Sequence, residues 1–569
     1  MSRNLLPFLR PCLSRSFKPQ LKAKHARVYN AIQQRSVQNA TIPIELHTGP
    51  HDVEKQKRLE QLQKAKPLGE YHPRMVHPSG VDSTLLPREF CEKYEHVKFG
   101  DEKKGHQPTV TVFGRVRSVR SYGYKLMFLD IERNGERLQT MVQVKNMHSD
   151  DDTHKADLKT FSKVIRVGDW VSVTGIGART ETGQLTLSAL FTPKIIAPCL
   201  HHLPDYIENA ETLARRPHVH QLTSDEPGAV LRLRAVLYGF VRSFLFNNGF
   251  LEVETPMFDV NAGGAIARPF ETVANEMSNL PIKLRIAPEL NLKRLIIGGQ
   301  DKVYEMGRAF RNEGVDNTHN PEFSTCEFYE VGATLPSLIK RTEEFLLGFS
   351  TAAESFRIQS YPSLVAPSGI DFASPFAQLP FVPTIEKAIG QKLPDLSSKN
   401  AADELSQLFS QLRIPLPPNA TLPRLLDTLA EEYIEPLCQN PTFITHHPEA
   451  LSPLSKSFLD EVTGQRVASR AELFIQGREY INTYEEENSP FEQRRKFMMQ
   501  LDFHAEGVRV IDESYLEALE WGMPPTGGWG CGLDRFVMLF ASKKRIADVL
   551  PFGTLRNVVS IAKNGRDGA

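Results

Sequence analysis

Ala309-Phe-Arg-Asn-Glu-Gly-Val-Asp-Asn-Thr-His-Asn-Pro-Glu-Phe-Ser-Thr-Cys-Glu-Phe-Tyr329 is the stretch on which the fold of this chain turns. Strand-like runs, Lys302–Arg311 and Phe323–Val331, flank a polar loop rich in Asn, Asp, Gly and Pro. That pattern predicts a long antiparallel hairpin. On its second strand Phe323, Glu327 and Tyr329 share parity, and so share one face. A ring, a carboxylate and a phenol together make a poor core and a good wall for a cationic ligand.

The same alternation extends outward on both sides. Upstream, Ser224-Asp-Glu-Pro227 offers a helix start, and Leu233, Val236, Leu237, Phe240 and Phe244 recur at helical spacing until Asn248-Gly249 ends the run. Phe250–Val253 then reads as a strand. Downstream, residues 355–455 turn proline-rich and read as an irregular insertion or subdomain. Strands return at Ala471–Ile475 and Arg478–Tyr484, and a helix follows Gly532. Nearer the amino terminus, Val110–Val116, Leu126–Ile131, Leu138–Val144, Trp170–Gly175 and Leu185–Leu190 are short strands divided by turn signals. Five such strands predict a small closed barrel of the OB type. Between Val110 and Met147, seven basic residues face three acidic ones, with Tyr122 and Phe128 among them. Such a patch suits single-stranded nucleic acid, the alternative being an ordinary solvated face with core aromatics.

Composition narrows the class. The 569 residues carry 68 basic and 68 acidic side chains, and 40% are hydrophobic. A disordered or collagen-like chain is excluded, and no apolar run is long enough for a transmembrane helix. Six scattered cysteines without a C-x-x-C pair argue against a disulfide scaffold or a cysteine-rich zinc site. Residues 1–44 hold eight Lys or Arg and no acid. Removing those eight from the 68 basic residues leaves 60 against 68 acidic ones, so the remaining body has net charge −8. An Arg-rich, Ser-containing, acid-free leader fits a mitochondrial transit peptide, the alternative being a basic arm that binds nucleic acid. The expected organisation is therefore a leader (1–44), a helical or extended segment (45–105) with a solvated charged helix at Glu54–Lys66, a barrel (106–200), a linker (201–227) and a large second domain (228–565).

Nucleotide-binding signatures of the common kinds are missing. Gly100 to Gly105 has P-loop spacing but is followed by His106, and Gly528-Trp-Gly-Cys-Gly532 lacks the Rossmann pattern. The hairpin itself resembles motif 2 of the class II aminoacyl-tRNA synthetases, in its lysyl-tRNA synthetase form. Phe250-Leu-Glu-Val-Glu-Thr-Pro-Met257 resembles motif 1, and Gly527-Gly-Trp-Gly-Cys-Gly-Leu-Asp-Arg535 resembles motif 3. Leu284-Arg-Ile-Ala-Pro-Glu-Leu290, Pro441-Thr-Phe-Ile-Thr445 and Gly477-Arg-Glu-Tyr-Ile-Asn482 also match the family.

The resemblance implies an α+β protein: an amino-terminal OB-fold barrel, then a class II domain built on an antiparallel sheet flanked by helices. It implies Arg311 at the α-phosphate and lysine carboxylate, and Arg535 at the γ-phosphate, two fixed cations for displacement at phosphorus. Glu313, His319 and Phe323 are implied at the nucleotide, with Glu472 and Glu479 as ligands of Mg²⁺, a cation that prefers carboxylate and phosphate oxygens. Glu479 and Asn482 fall on opposite faces of an ideal strand, so a bulge or strong twist is required. For the amino acid, Glu327, Glu486 and Tyr329 are implied at the ε-ammonium, Glu289 and the Gly264 carbonyl at the α-ammonium, Asn482 at the carboxylate, and Tyr484 along the stem, where the family often has phenylalanine.

Arg120, Phe128, Gln139 and Gln184 correspond to anticodon-reading positions, with Gln184 standing where bacterial relatives have a glutamate. The partners so implied are tRNA(Lys), ATP, L-lysine and a second copy of the chain docked through motif 1, with no membrane. The compartment expected from the leader is the mitochondrial matrix. An aspartyl or asparaginyl enzyme is disfavoured by the acidic pair Glu327 and Glu486. A catalytically inactive relative that only binds tRNA or protein is the rival of another class, and the presence of Arg311, Arg535 and both metal carboxylates speaks against it.

Overall fold

The computed structural model describes residues 52–74, 83–101, 107–147, 152–260, 267–277, 280–503 and 511–564. The leader 1–44 and Gly264 lie outside the described residues.

Five strands close the barrel: Val110–Ser121, Leu126–Arg133, Glu136–Gln143, Trp170–Arg179 and Leu185–Ala189. The third and fifth pair in parallel, and the first pairs with both the second and the fourth. That closure is the OB topology expected from the strand count. Inward Val110, Val112, Met127, Leu129, Ile131 and Val173 fill the core, and Met127, Leu129 and Ile131 alternate with the half-exposed Phe128, Asp130 and Glu132. Two features differ from expectation. A helix, Asp152–Val164, connects the third and fourth strands. The charged helix Asp52–Ala65 is more than solvated: its Leu62 enters the barrel core, and its buried Arg58 meets Asp169 at 2.7 Å. Tyr71, Phe90 and Tyr94 join the same core.

The second unit is an eight-stranded, mostly antiparallel sheet. The predicted hairpin forms one side of it: Lys302–Phe310 pairs with Glu322–Val331, which pairs in turn with the glycine strand Thr526–Gly532 in the middle of the sheet. Next come Arg478–Glu485 and Arg470–Ile475. One face is covered by the helices Asp225–Asn247, Leu335–Ser360 and Leu533–Phe540 over Phe328, Trp529, Phe345 and Phe536. The other face is covered only at its ends. Helices Glu289–Ile297 and Glu513–Glu520 sit at one end with Tyr329. At the far end sits the proline-rich stretch, which is ordered. Its helices Phe381–Ile389, Ala401–Leu412 and Leu422–Tyr433 pack on Ile444 and Phe474. It also supplies the edge strand Ala377–Pro380 and its inner neighbour Thr442–Thr445.

The two units touch beside the barrel hairpin. Arg137 reaches Asp225 at 3.3 Å, and Arg117 donates to the Leu222 carbonyl.

Candidate active site

The uncovered middle of the sheet gathers the expected side chains. At one end lie two arginines. Arg311 follows the first hairpin strand, its guanidinium 5.1 Å from the Phe323 ring, and its Nε is buried without a hydrogen-bond partner. Arg535, in the first turn of the helix after the glycine strand, donates to the Glu479 carbonyl (2.7 Å) and to His319 Nε2 (3.1 Å). An arginine cannot accept, so His319 Nε2 is the acceptor and Nδ1–H donates to Asp316 Oδ2 at 2.8 Å. Glu313 is exposed on the same loop. The helix bearing Arg535 is anchored by Asp534, which meets buried Arg234 at 2.6 Å and accepts from the Ser324 backbone at 2.7 Å.

Glu472 and Asn482 are cross-strand partners, and Glu479 pairs with Phe474. The register slips between Leu473 and Phe474, so one extra residue, Tyr480, is accommodated on the later strand. This bulge brings Glu479 onto the face of Asn482, as the site requires. Glu472 is clamped by Arg470 and by His447 Nε2 at 3.0 Å. Burial opposes its charge, but Arg470 and then His447 hold its carboxyl down at about 2. The Glu479 carboxyl is pushed up by burial and then by the charge of Glu472. Among the described residues no group of three or more His, Cys, Asp or Glu converges as a metal site. Two mutually repelling carboxylates do fit a hard cation that completes its shell with phosphate oxygens and water.

The other end is acidic, with Glu289 and Glu486 buried and Glu327 half-buried. Its floor is the glycine strand: a Cβ on Gly528 would lie 1.8 Å from Glu486 Oε1, and one on Gly530 would lie 3.3 Å from Glu327 Cγ. Tyr329 donates to Glu327 at 3.4 Å, and Tyr484 donates to Glu289 Oε1 at 2.6 Å. Burial and then Glu289 push the Glu327 carboxyl up to about 8, against the pull of Arg311 and Arg285. Glu486 is fully buried and is already matched: Lys293 Nζ stands 2.5 Å from its Oε2 and 2.6 Å from Glu289 Oε1. Burial opposes the Lys293 charge, but Glu289 and then Glu486 outweigh it and hold the ammonium well above the ordinary lysine range.

Lys293 and the clamps Arg470, His447 and Arg234 are absent from the sequence expectation. Lys293 leaves one sequence trace, its i,i+4 spacing from Glu289 on a helix.

On the barrel, Arg120, Gln139 and Gln184 line one cleft of about 370 Å³, with Arg117, Ser118, Asp130 and Arg137. Phe128 is the cross-strand partner of Arg120, 5.8 Å from its guanidinium, and it faces outward, opposite in parity to the core residues Met127 and Leu129. Gln139 Oε1 accepts from Thr186 at 2.8 Å.

A family profile described as tRNA synthetases class II (D, K and N) matches residues 209–556. A lysine–tRNA ligase of Cladosporium cladosporioides is 33% identical, the match covering 95% of this chain and 92% of the relative. The mitochondrial lysine–tRNA ligase of Schizosaccharomyces pombe is 37% identical over 79% of this chain and 84% of its own. A probable cytoplasmic lysine–tRNA ligase of Encephalitozoon cuniculi is 37% identical over 78% and 86% respectively. With a class II sheet carrying two arginines at one end and three carboxylates at the other, the chain belongs to the class II tRNA synthetases, among the lysine–tRNA ligases.

Proposed function

We propose that the two ends of this sheet face hold the two reactants of lysine activation, and that the barrel reads tRNA(Lys). The observation that carries this reading is the charge separation along one face. Glu289, Glu327 and Glu486 suit a molecule with two ammonium groups. Arg311 and Arg535 suit a triphosphate. A lysine carboxylate oxygen attacks the α-phosphorus, the bond to the β-phosphate oxygen breaks, and pyrophosphate leaves. A terminal ribose hydroxyl of tRNA then attacks the acyl carbon and releases AMP.

Arg311, at the arginine end but close enough for its charge to act on Glu327, would meet the negative charge that builds on the α-phosphate as the carboxylate attacks. Its unpartnered Nε is a donor held ready for that charge. Asn482 orients the carboxylate, Phe323 stacks on adenine, and Glu313 and His319 contact the nucleotide. Glu472 and Glu479 would hold Mg²⁺, which supplies charge neutralisation at the phosphates. Glu289, with the Gly264 carbonyl, holds the α-ammonium, and Glu327, Glu486 and Tyr329 form the ε-ammonium end. Tyr484 walls the stem.

Exposed Leu251, Met257, Phe258 and Val260, around motif 1, support a homodimer through that segment. The barrel cleft with Phe128 beside it is the anticodon site. The leader 1–44 directs the enzyme to the mitochondrial matrix: its acid-free basic composition supports this, while the relatives include both mitochondrial and cytoplasmic forms. No helix among the described residues is long and apolar enough to cross a membrane.

Lysine-dependent ATP–pyrophosphate exchange tests the reading. Exchange with lysine and not with aspartate or asparagine is expected, and exchange independent of lysine would overturn it. A reporter fused to residues 1–45 is expected in mitochondria, and a diffuse cytosolic signal would remove the targeting role.

A further inference from the structure

We propose that Lys293 is a positioning residue of the amino-acid pocket: it bridges Glu289 and Glu486, sets their separation, and so makes the pocket measure the length of a diamino acid. The inference rests on the reading of those two carboxylates as the α-ammonium and ε-ammonium sites.

Three observations carry it. Lys293 is fully buried, yet its Nζ lies within 2.6 Å of a carboxylate on each side. One carboxylate sits on its own helix and the other just beyond the Arg478–Glu485 strand, so the bridge ties two separate elements together. Tyr329, Tyr484 and Tyr515 surround it, with ring centroids 5.7–5.9 Å from Nζ, which excludes water as a substitute donor. Beyond its ion pair with Lys293, neither oxygen of Glu486 has a hydrogen-bond partner among the described residues. Without that pair, a fully buried carboxylate near Glu289 and Glu327 would take up a proton or swing away, and its charge would be lost to the substrate.

The bridge also balances charge. Three carboxylates face this pocket, and a diamino acid brings two ammonium groups. Lys293 accounts for the third charge from within the chain. Because its two contacts are short, the carboxylates cannot drift to follow a shorter substrate. Ornithine, one methylene shorter, then reaches one carboxylate group and misses the other.

The test uses the full-length enzyme in ATP–pyrophosphate exchange with L-lysine and L-ornithine, together with thermal melting. Lys293→Met is expected to raise the lysine KM roughly 100-fold, as for a buried charge pair broken on one side. The ATP KM should change little. The lysine-to-ornithine ratio of kcat/KM should fall by about tenfold or more, the scale set by one methylene. Lys293→Arg restores the charge but not the compact span between the oxygens, so it should recover melting temperature without recovering the ratio. The double variant Lys293→Met/Glu486→Gln removes both charges, and should likewise fold while failing to discriminate. These two carry the comparison if Lys293→Met alone is unfolded. A ratio that stays at the wild-type value in the folded variants would reduce Lys293 to a structural ion pair. Glu327→Gln and Glu486→Gln are measured in parallel: if both leave the lysine KM unaltered, the pocket reading itself fails, whatever Lys293 does.

Discussion

The two ends of the sheet face solve the problem of holding charge in opposite ways. At the proposed amino-acid end the carboxylates have partners within the chain before any ligand arrives: Lys293 bridges Glu289 and Glu486, Tyr484 caps Glu289, and Tyr329 donates to Glu327. At the nucleotide end the partners are provisional. Arg535 is partly exposed and leans on a backbone carbonyl and an exposed histidine, and Arg311 leaves Nε unpaired. The difference follows from what each end must distinguish. Amino acids differ by a methylene or a charge, so selectivity there needs rigid, desolvated groups. A triphosphate brings its own charge in excess, and guanidinium forks that exchange weak partners for phosphate lose little in doing so.

Removing a provisional cation should therefore hurt most. Arg535→Ala deletes the donor proposed for the phosphates while leaving its neighbours with each other. Lysine-dependent exchange is expected to fall about 100- to 1000-fold, mainly in kcat and the ATP KM, with the lysine KM little altered. A loss confined to the lysine KM would erase the division between the two ends.

The next effect is a pH dependence that belongs to one end only. With its carboxyl pushed up to about 8, Glu327 is mostly protonated at neutral pH in the empty pocket. A substrate ammonium favours the ionised form, so binding releases a proton. The lysine KM should then fall up to about tenfold per pH unit as pH rises toward 8 and level off above it. The sign for stability is opposite. A carboxyl raised in the folded state contributes stability that is fully present below its unfolded value and lost as pH rises through about 8. Glu327→Gln should abolish the slope in lysine KM and raise the melting temperature at alkaline pH. Asp427 and Glu435, pushed up by burial to about 6 and 7, titrate beside Glu472, and Glu486 is pushed up by burial beside Glu327, so a slope that survives in Glu327→Gln would belong to one of these carboxyls.

A third measurement separates the barrel from both ends. Phe128 faces outward beside Arg120, so Phe128→Ala leaves the core intact and should move the melting temperature little. The KM for tRNA should rise by the equivalent of about 1–3 kcal/mol, with exchange unchanged. A large drop in melting temperature would return Phe128 to a structural role.

How much of this was legible in the sequence depended on whether the cause was local. The barrel strands and the hairpin of the sheet announce themselves through alternation, because each strand has one buried face. The helices of residues 381–433 were hidden under prolines that sit at their starts or between them, although Leu422, Leu425, Leu426 and Leu429 keep helical spacing. Strand parity alone put Glu479 and Asn482 on opposite faces, and only the register slip at Tyr480 reconciles them. Lys293 was the least legible. Four residues after Glu289 it has the spacing of an ordinary surface pair, and its burial comes from Glu486 and three tyrosines that only the tertiary fold brings close.

The smallest expected effect tests how far the committed end tolerates trimming. Tyr484 stands where the family often has phenylalanine, and its hydroxyl donates to Glu289 Oε1, the same oxygen that Lys293 contacts. Tyr484→Phe removes one of two donors from that oxygen and leaves the ring in place along the stem. Because the donor and its contact disappear together while the ammonium remains, the loss should be that of one net hydrogen bond, about 0.5–1.5 kcal/mol. That corresponds to a lysine KM raised by no more than about tenfold, with the ATP KM and the lysine-to-ornithine ratio unmoved. A collapse of that ratio in Tyr484→Phe would mean that Tyr484, and not the bridge through Lys293, holds Glu289 in place. An unchanged KM would show that Lys293 alone suffices, which is the reading under which phenylalanine is tolerated at this position.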